Sequence, residues 1–91
     1  MRSIDRTTKT LVSEDGRRHI IDYAILVEDC GGGESYGLSV ASRTGGGRVH
    51  IRGITPSADK ITRLHELFVR HGVTPSSARD VAENWLTDCD L

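Results

Sequence analysis

The segment with the clearest chemical potential is glycine-rich and surrounds the first cysteine, with the sequence DCGGGESYGLS over residues 29–39. Gly32 and Gly37 lie five residues apart and Ser39 follows, which approaches the G-x-x-x-x-G-K-[ST] pattern of a phosphate-binding loop. That motif needs a lysine for the phosphates and a helix after the loop, because a helix N-terminus attracts anions. Leu38 stands in place of the lysine, within a strand-like alternation. The segment therefore favours a hairpin turn over a phosphate site.

Cys30 is the next candidate, as the nucleophile of a small enzyme or ligand-binding domain that uses the loop Cys30–Glu34. The glycines beside it would let a ligand approach the backbone closely. A catalytic thiolate needs a helix N-terminus or a neighbouring base to stabilise it, and here Glu28 and Asp29 precede the cysteine. No catalytic residue is therefore predicted, and the loop stays an alternative.

The segment HELFVRH, from His65 to His71, shares only its first two residues with the H-E-x-x-H motif of zinc proteases. Val69 stands where the second histidine should be, and His71 falls on a different face of a helix. The sequence also has no CxxC pair. We predict neither a metal site nor a cofactor, and we expect the two histidines to be charged, partly exposed helix residues.

Four stretches in the first half of the chain have the two-residue alternation and β-branched content of strands. They are TTKTLVS (7–13), HIIDYAILV (19–27), SYGLSVAS (35–42) and RVHIRGI (48–54). Asp15-Gly16 predicts a two-residue hairpin turn, in which both central residues have positive φ. Short connections between the four strands predict an antiparallel meander.

From residue 55 onward the period becomes helical, and two amphipathic stripes are present. Thr55 or Ser57 is the predicted N-cap of the first helix and Gly72 its left-handed end, while Thr74 caps the second helix and Pro75 begins it. The apolar stripes are Ile61, Leu64, Leu67 and Phe68 in the first helix, and Ala78, Val81, Ala82, Trp85, Leu86 and Cys89 in the second.

The predicted fold is α+β: a four-stranded antiparallel meander followed by two C-terminal helices that pack on one sheet face (ββββαα). Residues 1–91 form a single domain, with a disordered arm over 1–6, the sheet over 7–54 and two helices over 55–91. The predicted core face of the sheet consists of Ile21, Tyr23, Ile25, Val27, Tyr36, Leu38, Val40, Val49 and Ile51.

The opposite face of the sheet is more apolar than a solvent-facing surface usually is. Its residues are Ile20, Ala24, Leu26, Ala41, His50 and Arg52. We predict that these residues contact a protein partner or a second copy of the chain. The alternatives are scattered surface apolar residues or a face that the N-terminal arm covers.

Composition limits the classes of partner. The net charge is −1 and only four residues are aromatic, so a basic surface that stacks nucleic-acid bases is not expected. No apolar run is long enough to span a membrane and no signal peptide is recognised. The two cysteines are then expected to be in a reducing compartment, which predicts a cytoplasmic protein.

Most of the chain resembles a family of short bacterial proteins of unknown function. The resemblance rests on the Tyr-Gly strand at Tyr36-Gly37, the link Val73-Thr74-Pro75 and the helix ending DVAENWL at residues 80–86. It covers roughly residues 20–86 and implies a small intracellular α+β protein of bacterial origin. It implies no activity.

We therefore predict a small non-enzymatic module that interacts with a protein or self-associates. Two alternatives remain from the sequence. One is a ligand-binding domain or enzyme that uses the Cys30–Glu34 loop, and the other is a nucleic-acid-binding regulator.

Overall fold

The computed structural model describes residues 2–89, and the side chains of residues 2–87. It consists of one four-stranded antiparallel sheet in the order β1-β2-β3-β4, followed by two helices. The elements are β1 (Arg2–Val12), β2 (Arg18–Asp29), β3 (Glu34–Ser42), β4 (Arg48–Thr55), α1 (Ala58–His71) and α2 (Ala78–Cys89). The predicted ββββαα architecture is confirmed.

The inner face of the sheet, which the helices cover, carries the predicted core. Alternate residues of β2, from Ile21 to Val27, are 1–2% exposed. Leu38 and Val40 of β3 are also buried, while Tyr36, Val49 and Ile51 are partly buried and pack against the same cluster. The alternation predicts this face because a strand places every second side chain on the same side.

The first strand is longer than the sequence indicates. The sequence predicts a disordered arm over residues 1–6, whereas β1 begins at Arg2; Met1 lies outside the described residues. A bulge between Ile4 and Thr7, where Asp5 has φ 52°, interrupts the register with β2. Because the bulge breaks the alternation of side chains, the sequence of residues 2–6 does not show a strand pattern.

The turn between β1 and β2 differs from the predicted two-residue turn. Ser13 N–H donates to Arg17 O at 3.0 Å and Gly16 N–H donates to Ser13 O at 2.9 Å, so three residues separate the paired ends. Gly16 has φ 83°, whereas Asp15 is not in the positive-φ region. A turn followed by one left-handed glycine is the next most common hairpin connection, and it uses the same Asp-Gly pair.

A bulge in β4 brings an additional side chain into the core. Tyr36 pairs with Thr55 and Leu38 with Ile51, so β4 has extra residues opposite Gly37. Gly53, at φ 63°, provides the bend. Two buried residues, Ile54 and Thr55, follow the bulge and lead into α1.

The first helix has both predicted ends. Ser57 is its N-cap, and its side chain accepts a hydrogen bond from Lys60 N–H at 3.3 Å. Gly72 is the left-handed C-cap, at φ 60°. His65 is buried, although the sequence predicts a partly exposed residue, because it lies one turn after Ile61 on the side of α1 that faces the core.

The second helix begins later than predicted. Thr74 O accepts a hydrogen bond from Ser77 N–H at 3.1 Å, so residues 74–77 form a turn and α2 begins at Ala78. The turn is fixed to the sheet because the Tyr23 hydroxyl donates to Val73 O at 2.7 Å. Ala78 and Ala82 are buried against the core; the side chain of Cys89 lies outside the described residues.

Candidate functional site

The outer face of the sheet, opposite the helices, contains a cavity of about 470 Å³. Its floor consists of short or apolar side chains on the two central strands, namely Ala24, Leu26, Ser39 and Ala41. Longer side chains surround this floor, from Arg6 and Thr8 of β1 on one side to Arg48 and His50 of β4 on the other, with Arg43 at the end of β3. The depression arises because the central residues are small and the peripheral ones are long.

Both oxygens of the Asp22 carboxylate, which lines the cavity, accept hydrogen bonds. Asp22 accepts hydrogen bonds from Thr8 Oγ1 and from Arg43 Nε, both at 2.6 Å. The hydrogen bond from Arg43, and to a smaller extent that from Thr8, lowers the pKa of Asp22 below its ordinary value. Asp22 therefore stays ionised at neutral pH, and its charge offsets that of Arg43.

A second ion pair lies beside the cavity. Arg52 donates to both oxygens of Glu28, at 2.5 Å and 2.8 Å, in a bidentate arrangement. This interaction lowers the pKa of Glu28 and raises that of Arg52. The charge of Arg52 is thus matched within the chain.

Two arginines that line the cavity have no carboxylate partner among the described side chains. Among the described side chains, no carboxylate pairs with Arg6 or Arg48. Arg6 makes one hydrogen bond, to the Ser3 hydroxyl at 3.3 Å. His50 is exposed beside Arg48 on the same face of β4. The outer face therefore has an excess of positive charge, although the whole chain has a net charge of −1.

The structure brings together four of the six residues predicted to contact a partner. Ala24, Leu26, Ala41 and His50 line the cavity, but Leu26 is only 4% exposed and presents little surface of its own. The other two predicted contacts lie elsewhere on the outer face. Ile20 is half-buried away from the cavity, and Arg52 is held by Glu28.

The cavity also includes residues that were not predicted as site residues, among them Arg6, Thr8, Arg43 and Arg48. Arg6 falls in the segment expected to be an arm, and its position depends on the bulge in β1. Arg43 follows the last residue of β3, where the alternation no longer assigns a face. Arg48 could have been found, because the alternation of Arg48, His50 and Arg52 along β4 places all three on the outer face.

The Cys30 segment forms a tight hairpin turn. Cys30 N–H donates to Gly33 O at 2.8 Å and Gly33 N–H donates to Cys30 O at 3.3 Å. Gly31 and Gly32, at φ 41° and 109°, supply the two positive φ angles that such a turn requires. Cys30 is an exposed free thiol. The glycines thus serve the turn, and the strand that follows contains Leu38 as a buried core residue.

The histidines are spread over the molecule. His19 lies at the opposite end of β2 from Cys30. His71 is the last residue of α1 and precedes Gly72, which lies close to Leu11, the β1 residue that pairs with His19. Both histidines are therefore at the end of the sheet away from Cys30. Within residues 2–87, no three His, Cys, Asp or Glu side chains form a group that could hold a metal ion. The described helices include none long and apolar enough to cross a membrane.

A second cavity, of about 690 Å³, lies at the end of the sheet near the β1–β2 turn. Leu11, Val12 and Ile21 form one wall, and Thr74 and Pro75 of the helix–helix link form another. Its walls are mainly apolar. Arg48 borders both cavities, whereas Arg6 and Arg43 line only the cavity on the outer face.

The comparisons with known proteins give a family and no activity. Residues 3–88 match the family described as "Family of unknown function (DUF6514)". No curated protein and no solved structure matches the chain. The match covers nearly the whole chain, and it agrees with the prediction of a family of unknown function. The chain belongs to the Family of unknown function (DUF6514).

Proposed function

We propose that the chain is a protein-interaction module that binds a partner protein through the outer face of its sheet. The observation that carries this proposal is the cavity on that face, which has a floor of small side chains and a surround of polar ones. A sheet in a two-layer fold has one face covered by helices and one face available. In this chain the uncovered face of the sheet contains a cavity and is not flat.

The half-buried floor supports binding of a partner. Ala24 and Ala41 are partly exposed and lie on neighbouring strands, so a partner side chain would contact them and the peripheral arginines at once. Protein interfaces commonly combine an apolar centre with a polar periphery. The outer face has this arrangement on a small scale.

We further infer that the module acts in the bacterial cytoplasm. The resemblance to short bacterial proteins supports the origin. The free, exposed thiol of Cys30 supports the compartment, because reducing conditions keep such thiols unpaired.

The test is affinity capture with a variant whose cavity floor is filled. Ala24→Gln and Ala41→Gln together add bulk without changing charge, and Thr62→Gln with Asn84→Gln is a matched control on exposed helix positions. Each tagged protein is incubated with lysate from cells that normally express it, and the recovered proteins are identified. We expect at least one protein that the wild type and the helix control both recover and the floor variant does not.

The proposal is contradicted if the floor variant, folded by circular dichroism, recovers every protein that the wild type recovers. A protein lost equally from the floor variant and the helix control would also count against it, because the loss would not be specific to the outer face.

A further inference from the structure

We propose that the partner segment that binds the outer face is acidic, with carboxylates that pair with Arg6 and Arg48. This inference rests on the proposed function and specifies the chemistry of the partner. Among the arginines that line the cavity or lie beside it, Arg2 pairs with Glu34, Arg43 with Asp22 and Arg52 with Glu28. Arg6 and Arg48 form no ion pair among the described side chains, and Arg6 makes only the smallest contribution to lowering the pKa of Asp22, behind that of Arg43.

The position of the two unmatched arginines fits a bound segment. Arg6 is on β1 and Arg48 is on β4, the two edge strands, so they lie on opposite sides of the floor. Three strand spacings separate β1 from β4, which is about 14 Å. A segment that lies over the floor would therefore meet one guanidinium on each side.

The chemistry of these side chains favours carboxylates. A guanidinium presents five N–H donors in a fixed fork and binds a carboxylate in a bidentate manner. Arg52 already holds Glu28 in this way on the same face. Ser39 adds a hydroxyl on the floor between the two arginines, and it can donate a further hydrogen bond.

The same charges disfavour a second copy of this chain as the occupant. Two outer faces packed against each other would place unmatched arginines on both sides of the contact. The acidic excess of the chain lies elsewhere, in residues 55–91. A contact between the outer face of one copy and the helices of another is head-to-tail, so it would form a ring or an open chain rather than a two-fold dimer.

Nucleic acid is disfavoured because no phenylalanine, tyrosine or tryptophan side chain of the described residues is exposed on this face. Single-stranded nucleic acid binds through aromatic side chains as well as positive charge. The side chains of the four aromatic residues lie elsewhere, although Tyr23 itself borders the cavity. Tyr23 and Tyr36 are on the inner face, and Phe68 and Trp85 are on the helices.

The test measures binding of a labelled glutamate octapeptide to the full chain by fluorescence anisotropy, at a salt concentration of about 0.05 M, where surface charges are weakly screened. We expect binding to wild type that weakens as salt is raised. The double variant R6A/R48A should bind about five- to tenfold more weakly, since exposed ion pairs contribute modestly. The double variant R63A/R79A removes two exposed helix arginines and should bind like wild type.

Three results would overturn the inference. The first is equal affinity of wild type and R6A/R48A for the octapeptide. The second is tighter binding of a short oligothymidylate than of the octapeptide. The third is a dimer, detected by light scattering, that R6A/R48A dissociates.

The capture experiment separates this inference from the proposed function. If the floor variant loses a partner that R6A/R48A retains, the outer face binds a protein but the partner is not held through these arginines. If neither variant loses any protein, the proposed function itself fails.

Discussion

The two faces of the sheet differ in the size and polarity of their side chains. On the inner face, large apolar side chains of β2 and β3 fill the space under the helices, and their neighbours on α1, Ile61, Leu64 and Phe68, are at most 1% exposed. On the outer face, the centre is small and the periphery is charged, so the space stays open. The same alternation of residues produces both faces, since a strand directs successive side chains to opposite sides.

This difference indicates where stability and binding reside. Substitutions on the inner face remove contacts that hold the fold, and substitutions on the outer face alter a surface that is already hydrated. Substitutions on the inner face should therefore lower the free energy of unfolding far more than matched substitutions on the outer face.

The largest effect is expected for Phe68→Ala on α1. Phe68 is fully buried within the core, and removal of a buried phenylalanine ring typically costs about 3–5 kcal/mol. Urea denaturation followed by circular dichroism measures the loss. Arg48→Ala is the matched truncation on the outer face and should change the free energy of unfolding by less than about 0.5 kcal/mol. Similar losses for the two variants would contradict the division between the faces.

Gly37→Ala tests a close approach between β3 and β4. A Cβ on Gly37 would lie 2.1 Å from the backbone carbonyl oxygen of Ile51, so β4 must move. Overpacking of this kind costs about 1–3 kcal/mol, and thermal unfolding detects it. Gly33→Ala is the control, because nothing lies within 4 Å of its added Cβ. A Gly37→Ala protein as stable as the Gly33→Ala protein would show that the bulge in β4 is not fixed by this contact.

Tyr23→Phe removes the hydrogen bond that joins the sheet to the helix–helix link. The change leaves Val73 O without its buried donor and should cost about 1–2 kcal/mol. Tyr36→Phe should cost less, because that hydroxyl is only part-buried and lies 3.5 Å from Glu34 Oε1. Chemical denaturation of both variants at neutral pH provides the comparison, and an equal loss would be inconsistent with the special role of Tyr23.

Tyr23 also predicts a change of stability in alkaline solution. Burial raises the pKa of Tyr23 to about 12, from an ordinary value of 10.0. Below pH 10 both the folded and the unfolded protein keep the phenol proton. Between pH 10 and 12 only the unfolded protein releases it, so the free energy of unfolding falls as pH rises. The fall in that window should be smaller in Tyr23→Phe than in wild type; identical pH profiles would refute this assignment.

The smallest effect is expected for His65→Leu. His65 is 7% exposed, and no described group hydrogen-bonds to its buried Nε2. Replacement by leucine removes a polar atom that has no partner, so the free energy of unfolding should stay the same or rise by up to about 1 kcal/mol. His50→Gln, an exposed change on the outer face, should be neutral. A clear loss of stability in His65→Leu would mean that the imidazole makes an interaction that the structure does not show.

Much of the fold could be predicted from local patterns. The inner face follows from the alternation of Ile21, Tyr23 and Ile25, and α1 from its periodic stripe and the Gly72 end. Patterns of this kind depend on short stretches of chain, so a single sequence is sufficient to detect them. The buried His65 was missed because a polar residue at an apolar position does not change the period.

The candidate site was less accessible to such reasoning. Its shape depends on irregular positions, namely the bulge near Asp5 and the end of β3 at Ser42, where alternation no longer assigns a side. The cavity also depends on which side chains pair with one another. The sequence does not indicate that Asp22 engages Arg43 while Arg48 stays without a carboxylate, because those pairings depend on the register of three strands.

The most direct test of the central claim is a nuclear magnetic resonance titration of ¹⁵N-labelled protein with the glutamate octapeptide. We expect the largest shifts of backbone amide signals around the outer-face cavity, at Arg6, Ala24, Ala41 and His50. Shifts concentrated on the outer surfaces of α1 and α2, or at Leu11 and Val12 in the second cavity, would contradict it.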